Sequence, residues 1–394
     1  MKKINILLII INSIIFLGCK KETPVVNNIQ ETTNLLTDTI IPTLEQKYNK
    51  YDSESFGNSI LDSEGNIIIV GTTNNYTKSD IFVLKINNLG DTIWTTIISD
   101  SIKIKGSSIT ETYDNKYIVT GYTQSLAPNG KGIIVARLNN NGLIDWQKNY
   151  TNWISANGRN KITKKTDGTY LIAGEKLNSD ESRDLYLLKI NDNGDSLTSQ
   201  IIALTNNLAC YSVISTNNVG YALIVNSGQY LNDSQEILLI KLNDDLMLEW
   251  EKEYSFGMNS YSYSLVQDNN NNYYITGYIY EPDITKGLLF KTDADGNKLW
   301  EKSYEYENAW NVLGKDILKT IDNNLLLTMQ VEGDFINGTL LIKLDQEGNN
   351  IWRKYIDHYQ SQQSIETSSN NISILGYTMY NSIDSYDIFY CKLP

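Results

Sequence analysis

Residues 64–99 read EGNIIIVGTTNNYTKSDIFVLKINNLGDTIWTTIIS. Three β-type runs end in turn at Gly71, at Lys85 and just beyond Trp94, and Asn/Gly/Asp-rich turns separate them. β-branched and aromatic residues suit strands, and Asx-Gly pairs supply the positive φ of tight hairpins. The pattern returns about every fifty residues to the end of the chain. Gly71, Gly121, Gly174, Asn226, Gly277, Met329 and Gly376 share the first slot, at intervals of 50, 53, 52, 51, 52 and 47 residues. The runs before them are almost continuously apolar, the mark of strands covered on both faces.

Two further slots fix the unit. A basic residue ends the third strand throughout, at Lys85, Arg137, Lys189, Lys241, Lys291, Lys343 and Lys392. The fourth strand carries Trp94, Trp146, Thr198, Trp250, Trp300 and Trp352 in one position, where large apolar area makes the tryptophans core residues. First strands align on Ile60, Ile109, Ile162, Val213, Leu265, Ile317 and Ile365. A four-stranded unit repeated at one period is a propeller blade, and it predicts an all-β, seven-bladed β-propeller over residues 37–394 with four strands per blade. The seventh unit stops after its third strand. Asp38–Ile41 matches Asp91–Trp94, with Ile41 in the tryptophan slot, so this N-terminal strand is expected to close the ring, with Pro42 tolerated at a sheet edge. An open solenoid would leave two long edges bare.

Composition narrows function more than it names it. The formal net charge is −13 with no basic block, which disfavours nucleic acid and anionic headgroups as partners. His358 is the single histidine, so histidine-based metal sites are excluded, and no cofactor is implied. Cys210 and Cys391 fall three units apart on different strands, and no disulfide is expected between them.

The N-terminus supplies an address. Two lysines precede an apolar run too short for a comfortable membrane span, which ends at Phe16-Leu17-Gly18-Cys19. This tetrad resembles the lipobox of bacterial lipoproteins, with Phe16 where Leu is usual. The resemblance implies a signal peptide over residues 1–18, removed before a lipidated Cys19 that carries palmitate-type acyl chains, and an outer-membrane anchor without a transmembrane helix. Residues 19–36 are polar and aperiodic and read as a tether. Lys20-Lys21-Glu22 is similar to short signals for surface export, which leaves periplasmic and cell-surface exposure both open. The repeat itself resembles the roughly fifty-residue propeller repeats of secreted bacterial proteins, and its Gly-x-x-x-Trp step is similar to that of quinoprotein-like propellers. That similarity implies blade architecture, and one lipid-anchored member of the broader class is a scaffold of outer-membrane assembly.

Four constellations bear on function. The basic slot reads as lysines snorkelling near turn carboxylates rather than an anion-binding ring. Asp293-Ala294-Asp295-Gly296-Asn297 has calcium-loop spacing, but equivalent turns make it a hairpin. Asp180, Asp184, Glu281 and Asp283 supply carboxylates without a common point. Aromatic residues outside the repeat slots are the most informative: Trp153, Trp310, Tyr306, Tyr359 and His358 in connections between units, with Tyr280 and Phe335 in the loops expected on the same face. They suit stacking on a glycan or contact with a protein, or else they plug the top of the ring. The expectation is a non-catalytic, monomeric, lipid-anchored binding protein of the envelope that recognises a protein or glycan through this face. The alternatives are an enzyme on polysaccharide or peptide with paired carboxylates in the central channel, and a scaffold subunit of an outer-membrane complex.

Overall fold

A computed structural model of the chain describes residues 38–48, 53–74, 78–123, 132–150, 160–180, 182–204, 207–228, 235–257, 259–368, 371–379 and 386–394. The expected signal, the tether, Cys19 and Trp153 lie outside these residues. The described elements are all strands.

Each sequence repeat forms an antiparallel set. In the first, Ser53–Leu61, Ile67–Asn74, Ser79–Ile86 and Thr92–Ile98 are neighbours in space in the order of the chain. Among the described residues, the first four repeats make separate four-stranded sheets. The fifth and sixth share a nine-stranded sheet, joined by one parallel bridge between Thr285 and Asn311. First strands touch first strands from repeat to repeat, and that of the last repeat, Gln360–Ser368, touches Ser53–Leu61 of the first. This is the arrangement of a β-propeller. At the seam Gln363 Oε1 accepts hydrogen bonds from Ser59 N and Oγ, each 2.8 Å, and Gln363 Nε2 donates to the Ser59 carbonyl at 3.0 Å.

Close approach explains the glycine slot. A Cβ at Gly71 would sit 2.2 Å from the Ser55 carbonyl oxygen, and one at Gly121 would sit 2.2 Å from that of Lys105. In the fourth repeat the sequence alignment is one residue out. Ala222 pairs with Lys241 as Ile118 pairs with Arg137, which puts Val225 rather than Asn226 in the slot. Two first-strand positions are also one residue out: Ser59 and Ser364, opposite Ile69 and Ile374, take the place expected for Ile60 and Ile365.

The strand that completes the last sheet differs from the expected one. Leu44–Tyr48 pairs antiparallel with Tyr386–Lys392, and Leu44 faces Lys392 as Trp94 faces Lys85. Leu44, not Ile41, therefore holds the tryptophan slot, and Ile41 is 83% exposed. Asp38–Thr39 pairs parallel with the edge of the preceding repeat, where Ile40 packs into a cluster with Trp352 and Phe389. Pro42 lies between the two short strands.

The tryptophans are half-buried because each lies between repeats. The hairpin glycine of one repeat rests on the tryptophan of the repeat before: Gly142 on Trp94, Gly194 on Trp146, Gly296 on Trp250, Gly348 on Trp300. With φ of 73–81° and no Cβ, glycine both makes the turn and leaves room for the indole. The exception confirms the coupling. Thr198 replaces the tryptophan of the third repeat, and the next hairpin has Leu246 in place of glycine, at φ 64° and 0% exposed. Leu246 fills the space that the indole fills elsewhere, packing into a cluster with Leu171, Leu185 and Leu187. Strand-end hydroxyls add a second latch: Tyr150 donates to the Gly194 carbonyl (2.5 Å), Tyr254 to Gly296 (2.6 Å), and Tyr48 across the closure to Gly90 (2.5 Å).

In five of the seven repeats the basic slot is buried rather than snorkelling, at Lys85, Arg137, Lys241, Lys291 and Lys343. Lys85 contacts Asp62 Oδ2 at 2.9 Å, Glu64 Oε2 at 3.0 Å and the Tyr117 hydroxyl at 3.0 Å. Burial works against its charge, but the bonds from Tyr117, Asp62 and Glu64 outweigh it and hold its pKa above the ordinary lysine range. Arg137 binds both oxygens of Asp114 at 2.8 Å and meets Asp192 at 2.7 Å, and Lys343 meets Asp322 at 2.7 Å. Of these pairs only Lys85–Asp62 is buried on both sides, and removing Asp62 strands a buried charge at a cost of about 3–5 kcal/mol.

Candidate functional site

Two places depart from the repeat: the face of blade-connecting loops and the axis. On the first, Tyr306 is half-buried and stacks on Tyr355, with ring centroids 5.0 Å apart and planes at 25°. Burial, then Asp357 and Glu307, raise its hydroxyl pKa. Tyr359 packs on Phe389 at 5.0 Å, and its carbonyl accepts from Thr339 Oγ1 at 2.6 Å. These two serve as internal plugs. His358 and Trp310 face outward. The His358 side chain is 85% exposed, 3.3 Å from Asp357, on a backbone at φ 68° held by its N–H to the Asn337 carbonyl. Trp310 is 45% exposed, lifted out by a bulge between Ala309 and Asn311. The structure thus brings four of the five expected residues to neighbouring connections but divides their roles, and Trp153 lies outside the described residues.

The ladder shows what joins Trp310. Tyr280 pairs with Thr285, Thr285 bridges Asn311, and Ala309 pairs with Gly333, two residues before Phe335. Tyr280 is 44% exposed and Phe335 99%. Three large aromatics therefore stand along the rim formed by one end of the strands of the nine-stranded sheet. The connecting segments 281–286, 305–310, 332–337 and 357–359 hold Glu281, Asp283, Glu305, Glu307, Glu332, Asp334 and Asp357 against the single Lys286, which bridges Glu281 and Glu305 at 3.1 Å each. This clustering of charge was readable in the sequence, though only the ladder shows that the segments adjoin.

The second place is a cavity of about 450 Å³ on the axis. Six first strands carry a β-bulge at its level, whose extra residues are Gly57, Ser107, Tyr211, Tyr263, Lys315 and Gln362. A bulge re-aims a side chain. Tyr211 and Tyr263 meet edge to face at 5.3 Å, and Lys315 Nζ lies 4.4 Å from the Tyr263 ring centre. Asp316 accepts from Ser264 Oγ at 2.9 Å and from Ser364 N at 3.2 Å. Part of Asp316 opens to the cavity, yet protein encloses its carboxyl on the other sides, and this desolvation pushes the pKa up to about 6 against the pull of these bonds and of Lys161. Among the lining residues Asp316 is the one carboxylate, beside Lys161 and Lys315. A carboxyl pair does form elsewhere, where Glu253 raises the pKa of Glu236 chiefly through a shared hydrogen bond on outer strands. The other acidic candidates are engaged locally: Asp180 by Ser182, Asp184 by Asn178, Glu281 by Lys286. Asp293 closes its own hairpin, accepting from the N–H groups of Asp295 and Asn297.

No family model and no curated protein matches the chain. Solved structures do. The polysaccharide lyase Uly1 aligns with a TM-score of 0.57 at 7% identity, over 90% of this chain and 99% of that one. The periplasmic gluconolactonase of Pseudomonas aeruginosa aligns at 0.54 and 11%, over 84% and 99%. The Dos1 propeller aligns at 0.50 and 10%, over 89% and 95%. At these identities the likeness is one of fold.

Proposed function

We propose that this chain is a lipid-anchored protein of the bacterial outer membrane whose seven repeats are the blades of one closed propeller, and that it acts by binding. The ring is supported by first strands that touch in sequence from Ser53–Leu61 round to Gln360–Ser368 and back. The binding surface is the rim bearing Tyr280, Trp310 and Phe335. One observation carries this: three solvent-facing aromatics share one strand-end rim whose loops hold seven carboxylates and one lysine. Aromatic anchors inside a charged rim are what a protein hot spot is made of, and the sign selects a partner with a basic surface. The anchor is Cys19.

The test is crosslinking on whole cells with the full chain and with the Trp310→Ala/Phe335→Ala variant. The expected result is loss of the crosslinked partner with unchanged folding, and wild-type binding that weakens as salt rises. Retention of the partner by the double variant overturns the surface assignment. Palmitate labelling that persists in Cys19→Ser overturns the anchor.

A second reading, an enzyme acting on a polysaccharide as the lyase neighbour does, draws on Asp316 in the same lining as Lys161 and Lys315 in the axial cavity. It predicts turnover of a polysaccharide that Asp316→Ala abolishes.

A further inference from the structure

The structural slots of the repeat keep one chemistry from unit to unit, whereas the bulge slot does not. Going round the axis it holds Gly57, Ser107, Tyr211, Tyr263, Lys315 and Gln362. One backbone feature has thus been furnished with different side chains, and unevenly. Bulky groups occupy the slot in the fourth to sixth repeats, Gly57 and Ser107 in the first and second. Lys161, on the remaining first strand, lines the same space.

Charge inverts here too. The chain as a whole is at −13, yet the cavity lining counts Lys161 and Lys315 against Asp316 alone. Two lysines in the lining of this cavity offer an anion a site inside an otherwise acidic protein. The rest of the lining mixes hydroxyl, amide and tyrosine groups with apolar Phe56, Ile60, Ile109, Ile162 and Val213, which suits a ligand with both polar groups and an apolar face better than a bare ion. Hydroxyl groups of a sugar match Asn58, Ser108 and Gln362, and a pyranose face matches the Tyr211–Tyr263 corner.

We propose that the axial cavity binds a carboxylated sugar of one or two rings, its carboxylate held by Lys161 and Lys315 and its ring against Tyr263. This site is separate from the aromatic rim and does not depend on it. Asp316 modulates the site. The Ser264 hydroxyl and the Ser364 N–H donate to it and Lys161 acts on it electrostatically, with Lys315 and Tyr263 in the same lining, and its proton, held up to about pH 6, sets whether the cavity carries one net positive charge or two.

The test is calorimetric titration of the propeller with galacturonate, its methyl ester, galactose and sulfate. Galacturonate is expected to bind at least about tenfold more tightly than the ester or galactose, as the loss of a charge-assisted bond implies. Lys161→Met and Lys315→Met should each remove about that factor for the acid and leave the ester unchanged. Equal binding of acid and ester, or no binding of the acid, overturns the proposal. So does sulfate binding as tightly as galacturonate, since the cavity would then be a plain anion site. The ligand comparison uses the unmodified protein, so it decides the question even if a lysine variant fails to fold.

Discussion

The pairing of Thr198 with Leu246 makes a double-mutant prediction with worked magnitudes. Leu246→Gly deletes a side chain with 0% exposure, a loss of about 2–5 kcal/mol for the buried leucine. Glycine at φ 64° returns about 1 kcal/mol of backbone strain. The net loss is therefore about 1–4 kcal/mol. Thr198→Trp alone drives an indole into space that Leu246 already fills, and overpacking costs about 1–3 kcal/mol. Together the two changes recreate the indole-on-glycine contact that four other repeats show. A half-covered tryptophan there contributes about 2–3 kcal/mol of apolar burial. The double variant should thus return to within about 1 kcal/mol of the parent, a coupling of about 3 kcal/mol. Urea unfolding followed by far-UV circular dichroism measures all four proteins. A double variant whose loss equals the sum of the single losses within about 0.5 kcal/mol would refute the reasoning.

Two more predictions follow from the closure and the axis. Leu44→Asp puts a charge in the closing strand and should destabilise by about 2–4 kcal/mol, while Ile41→Asp should change stability by less than about 0.5 kcal/mol; thermal unfolding of the pair decides between the two placements of the strand. Asp316 has a folded pKa pushed up to about 6 from an ordinary 3.8, so its contribution is fully present below pH 3.8 and is lost as pH rises through 6. The difference is worth about 3 kcal/mol at neutral pH. Asp316→Asn should accordingly be the more stable protein at pH 7 by about 2 kcal/mol and lose that advantage at pH 4; denaturation at both pH values checks it, and a gap independent of pH contradicts the assignment.

The repeat was legible because its slots answer to local physics: a glycine where a carbonyl approaches, a base beside turn carboxylates, an indole against the next hairpin. What the sequence hid came from three sources. The closing strand was displaced by three residues because Asp38-Thr39-Ile40 copies Asp91-Thr92-Ile93. The better cue was Tyr48, which ends its strand as Tyr150 and Tyr254 end theirs. Ser59 and Ser364 hold positions assigned to isoleucines because the adjacent Ile60 and Ile365 match the apolar pattern of the other repeats while the ladder pairs the serines there. The axial residues were hidden because Lys161, Lys315 and Asp316 are spread thinly over the first strands of different repeats. Charge inside a first strand did not mark them out, since Glu54, Lys105 and Glu366 are charged there too.

The closure has a consequence for how the molecule is made. Thr43 and Lys392 are hydrogen-bonded although 349 residues apart. The entropy of bringing such distant ends together grows slowly, by about 0.6 kcal/mol for each doubling of the intervening chain. Equilibrium is little affected, but order of assembly is. The closing strand is synthesised before every repeat and finds its place only after the last has formed. Until then the terminal sheet displays an unpaired strand, Tyr386–Lys392, to any neighbour that offers one. The interval between the birth of the first strand and its docking is the time during which this protein is open to domain exchange and aggregation.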